Sequence, residues 1–101
     1  MWKFKQKKVP LLFVLGKIEG YQILKKKLHI SQINQHFESH LKNMPFLKSL
    51  NNGMEYFVGL FQWFRDDSSL LANCISNLLD MSDEKTNKIE FVAELANKIK
   101  I

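Results

Sequence analysis

The sequence predicts an all-α fold, and three observations carry that expectation. Apolar residues recur at helical spacing along most of the chain, capping residues mark the ends of those segments, and only two prolines and four glycines punctuate it. The segments divide into four or five helices with brief connections, which describes a small helical bundle or an orthogonal array. Residues 1–8 stand apart. There Trp2 and Phe4 alternate with Lys3 and Lys5, a period-two pattern that fits a short strand or an extended arm better than a helix.

From Pro10, Leu11, Leu15, Ile18, Tyr21, Leu24 or Lys25, and Leu28 fall near helical spacing, and proline is tolerated in a first turn. Gly16 and Gly20 each cost about 1 kcal/mol relative to alanine inside a helix, so a break near 16–20 after a strand over 9–15 is the alternative. Their Gly-x-x-x-Gly spacing would let another helix approach closely, although that pattern is read with assurance only in membrane spans.

Ser31 suits an N-cap for a helix over 32–43 with the apolar stripe Ile33, Phe37, Leu41. Helical geometry is disfavoured before Pro45, which then opens a short turn through Leu50, and Asn51-Asn52-Gly53 supplies another. The next helix, about 54–65, is apolar on nearly every side. Glu55, Gly59 and Gln62 form its only polar stripe, so it must be covered on most sides, either as the centre of the core or as a core element that also contributes to a subunit interface. Asp66, Asp67 and Ser68 favour the start of a helix over about 69–80, with Leu70, Leu71, Cys74, Ile75, Leu78 and Leu79 on its face. Ser82, with Asp83 and Glu84 behind it, reads as the cap of a last helix whose face is Ile89, Val92, Leu95, Ala96 and Ile99.

A chain of 101 residues with 46% hydrophobic and 25% charged side chains suits one domain, 1–101, with one core. The single cysteine, Cys74, excludes an intramolecular disulfide framework and points to a reducing, cytoplasmic setting. Lys3, Lys5, Lys7 and Lys8 ahead of the apolar run Val9 to Leu15 resemble a secretion signal. Pro10, the shortness of the run and the lack of a small-x-small cleavage site count against that. No apolar stretch approaches the ~20 residues a membrane-spanning helix needs.

The net charge of +5 conceals an asymmetry, since residues 1–50 carry +8 and residues 51–101 carry −3. Segregation of this kind suits a polyanionic partner or a contact between halves or subunits. Lys25-Lys26-Lys27 and the arm lysines Lys3, Lys5, Lys7 and Lys8, interleaved with Trp2 and Phe4, are the candidate polyanion contacts. The cluster equally suits a helix C-terminus as a complement to the dipole, and the arm equally suits an anionic membrane surface. A helix-turn-helix reading of Tyr21 to Leu41 fails. His29 stands where the turn glycine belongs, and Gln35 and Glu38 occupy positions that should be apolar.

Signatures of catalysis are missing. His36 and His40 are i, i+4 neighbours able to share a metal, but Glu38 is displaced from the His-Glu-x-x-His register and no third ligand is placed by spacing. Cys74 falls on a buried helix phase, and Ser31, Ser68 and Ser82 are accounted for as caps. No cofactor, no metal and no enzymatic activity are therefore expected. The expectation is a small interaction protein, such as an adaptor, inhibitor, immunity factor or chaperone-like regulator, that engages a protein partner and forms a homodimer. The interface is expected on the aromatic helix, at Tyr56, Phe57, Leu60, Phe61, Trp63 and Phe64. A nucleic-acid-binding regulator using the lysine-rich first half is the alternative.

Overall fold

The computed structural model describes residues 10–99, and within them the fold is an all-α bundle of five α-helices joined by tight turns. The helices are α1 (Leu11–Lys26), α2 (Ile30–Asn43), α3 (Met54–Phe61), α4 (Ser68–Met81) and α5 (Lys88–Ile99). The expectations for the arm lie outside the described residues. No strand occupies 10–15. Pro10 precedes an α1 that runs unbroken through Gly16 and Gly20.

Those glycines are kept by packing. A Cβ added to Gly16 would lie 1.9 Å from the Tyr56 carbonyl oxygen, and one on Gly20 would lie 2.4 Å from that of Leu60. From the other side, a Cβ on Gly59 would meet the Phe13 carbonyl at 2.3 Å. The backbones of α1 and α3 therefore touch, so the small-residue spacing works here within a globular core. The propensity cost of two helical glycines is offset by dispersion contacts that any side chain would prevent.

Helix α3 is the axis of the core. Tyr56, Phe57, Val58, Leu60 and Phe61 are all buried, and Phe57 meets Phe91 of α5 edge-on at 5.8 Å while Phe61 meets Phe37 of α2 edge-on at 6.1 Å. The expected stripe Ile33, Phe37, Leu41 faces this axis from α2, and Leu71, Cys74 and Leu78 close it from α4. Helix α3 ends at Phe61, and the chain continues as a tighter 3₁₀ turn over Gln62–Phe64.

Two helix starts, those of α2 and α5, differ from the sequence expectation, and that of α4 agrees with it. In α2 the cap is His29: Ser31 donates its backbone N–H to His29 Nδ1 at 3.4 Å, and His29 donates its own N–H to Gln32 Oε1 at 2.9 Å. In α4 Asp67, from the expected acidic group, accepts from the Leu70 N–H at 3.0 Å. The last helix begins later than Ser82. Ser82 donates its hydroxyl to Leu79 O, closing α4, and Asn87 caps α5 by accepting from the Glu90 N–H at 3.1 Å. The intervening turn is held by Thr86, whose hydroxyl oxygen accepts the Leu50 N–H at 2.8 Å and donates to Lys48 O at 3.1 Å. With this later start, Phe91, Leu95 and Ile99 form the buried face of α5. Ile89 is 85% exposed and Val92 lies at the margin.

Candidate functional site

Of the six residues expected at an interface, Tyr56, Phe57, Leu60, Phe61 and Phe64 are consumed by the chain's own core. Burying an aromatic helix against α1, α2 and α5 satisfies it without a second molecule. Trp63 alone reaches the surface, 36% exposed, because the 3₁₀ turn rotates it outward. Its indole N–H donates to Lys17 O at 2.8 Å, and its ring lies 5.3 Å from that of Tyr21, which fixes it against α1.

That contact completes an apolar surface on the outer side of α1. Gly16, Gly20 and Ile23 face the core, while Leu11, Val14, Leu15, Ile18, Tyr21 and Leu24 are exposed, Leu11 by 72% and Ile18 by 52%. Leu11, Val14, Ile18, Tyr21 and the stem of Lys25 recur at alternating intervals of three and four, the seam spacing of a helix that packs on another helix. Beside it runs a shallow groove of about 390 Å³ lined by Phe13, Val14, Lys17, Ile18, Tyr21 and Trp63. The ammonium groups of Lys17 and Lys25 lie over the Phe13 and Tyr21 rings and give this surface a cationic edge.

Lys25 and Lys26 occupy the last turn of α1, and Lys27 caps it in the left-handed region at φ 52° with its N–H on Leu24 O. These positions complement the helix dipole. Lys3, Lys5, Lys7 and Lys8 lie outside the described residues. Residues 10–99 contain ten basic and ten acidic side chains, so the whole net charge of +5 belongs to those four lysines and Lys100. Among the described residues no helix is long and apolar enough to cross a membrane.

A second site joins α1 to α2. Glu19 projects from α1 between His36 and His40, pairing with His36 Nε2 through one carboxylate oxygen and lying 3.6 Å from His40 Nε2 through the other. All three ligand atoms lie within 4.8 Å of one another, and the side chains are about a quarter exposed or less. The His36 and His40 rings stack at 5.4 Å, and His40 stacks in turn on Tyr56 at 5.7 Å. Burial pulls the His40 pKa down, with the Glu19 charge opposing and the His36 charge adding, which favours a neutral imidazole. Among the described residues the buried Tyr56 hydroxyl has no hydrogen-bond partner, and desolvation together with the nearby Glu19 charge pushes its pKa upward. Spacing alone supplied the two histidines. Glu19 is 17 residues from His36, and only the crossing of α1 over the bundle brings it there.

No family model, no curated protein and no solved structure matches this chain.

Proposed function

We propose that this protein is a non-enzymatic interaction module that binds a protein partner through the outer face of α1 together with Trp63. One observation carries the reading: α1 exposes a contiguous row of large apolar side chains on the side opposite its packed glycines. A helix apolar on both sides is ordinarily covered on both sides, and a rimmed apolar surface of this kind marks an interaction site. The three-four recurrence along Leu11, Val14, Ile18 and Tyr21 favours an amphipathic helix as the partner element. Lys17 and Lys25 at its edge favour acidic residues flanking that helix. A second copy of this chain is one such partner. With basic and acidic side chains equal in number over residues 10–99, the nucleic-acid reading rests on the amino-terminal lysines and the exposed Lys25-Lys26-Lys27 cluster.

The test compares the wild-type chain with Ile18→Glu and Tyr21→Ser, after circular dichroism has established that each variant keeps its helical content. Sedimentation velocity reads self-association, and capture from the source cells reads other partners. The reading requires a discrete complex with the wild type that both variants lose. Complexes indifferent to both substitutions contradict it, as does binding to generic nucleic acid that salt abolishes.

A further inference from the structure

The geometry points to a divalent transition-metal site formed by Glu19, His36 and His40, with zinc as the ion that best suits its two imidazoles and one carboxylate. Three protein ligands of this type match zinc sites that keep a fourth position for water, where Zn–N and Zn–O bonds of about 2.0–2.2 Å are formed. The two histidines come from successive turns of one helix, so their Nε2 atoms approach one point, and Glu19 meets that point from α1.

An interhelical ion pair would account for Glu19 and His36 alone. It does not account for His40, whose Nε2 also faces the same carboxylate, nor for the neighbouring Tyr56 hydroxyl. That hydroxyl belongs to a residue only 2% exposed and has no hydrogen-bond partner among the described residues. The stacking of His36 on His40 and of His40 on Tyr56 holds the imidazoles in place. The partial exposure of the three side chains leaves an entry path for the ion. The third preferred ligand is the one that sequence spacing did not place.

Titration of the purified chain with Zn(II), followed by calorimetry and thermal melting, tests the site, with Co(II) as the spectroscopic probe. The expected result is one equivalent bound saturably, a raised melting temperature, and the strong visible absorption of a four-coordinate cobalt site. Glu19→Gln keeps the shape of the side chain and weakens its ligation, and it, His36→Ala and His40→Ala should each lower affinity by at least about 10-fold, the loss that disturbing even an outer-shell partner causes. His29→Ala, at the exposed cap of α2, should bind as the wild type does. Absence of saturable Zn(II) binding, wild-type affinity in Glu19→Gln, or a loss in His29→Ala equal to that in His36→Ala would each overturn the proposal. Because Glu19→Gln is nearly isosteric, its circular dichroism separates loss of the ligand from loss of the fold.

Discussion

Gly16 sits so close to Tyr56 that a Cβ on the glycine would lie 1.9 Å from the tyrosine's carbonyl oxygen. Backbone meets backbone there, and neither helix can yield by rotating a side chain. Gly16→Ala, favoured by helix propensity on its own, is therefore expected to destabilise by about 2–3 kcal/mol, the upper part of the range for overpacked cores. For a domain of this size that lowers the melting temperature by ~10–20 °C, readable by circular dichroism. Gly59→Ala should behave alike, because its Cβ would strike Phe13 O at 2.3 Å.

Thr86 ties the turn before α5 to the turn before α3. Thr86→Val keeps the volume but strands the Leu50 N–H, and a cost of about 1–3 kcal/mol is expected in urea unfolding. Thr86→Ser, which retains the hydroxyl, should recover most of that loss.

The register of α5 is tested by two substitutions in one turn. Phe91→Ala removes a fully buried ring packed edge-on against Phe57 and should cost about 3–5 kcal/mol. Ile89→Ala, two positions earlier at 85% exposure, should change the unfolding midpoint by roughly 0.5 kcal/mol or less. Had α5 begun at Ser82 with the sequence-expected face, the two costs would be far closer.

Burial, and secondarily the charge of Asp67, pushes the Cys74 thiol from its ordinary 9.0 up to about 12. Unfolding returns the thiol to its ordinary value, so the unfolded chain ionises first as pH rises. The stability linked to this group is present in full below pH 9.0 and is lost as pH climbs toward 12. Urea midpoints should fall across that window. At about pH 8 iodoacetamide should label Cys74 only as fast as the fold opens. Rapid labelling of the folded chain would contradict the buried placement.

The all-α class and the buried stripes of α2 and α4 were legible because period alone specifies them: Ile33, Phe37 and Leu41 can face only one way. The end of α3 and the start of α5 were less legible. Ser82 and Asn87 are both good caps by type, and the choice between them is made by the contacts of Asp83 and Thr86 with Lys48, 35 or more residues away in the chain. The aromatic segment was read correctly as needing cover. Sequence could not say that α1, α2 and α5 of the same chain provide it. The signal for the outer face of α1 was present in its apolar residues on both sides of Gly16 and Gly20. It became decisive only once the glycine side was seen to face α3.

The most direct test of the interaction reading is a photoreactive phenylalanine analogue placed at Ile18, with Glu84 as the exposed control position, followed by irradiation of the cells that make the protein. The account predicts a discrete protein adduct from position 18 that position 84 does not give, the partner being either a second copy of the chain or one defined protein. No protein adduct at position 18, or identical adducts from both positions, would contradict it.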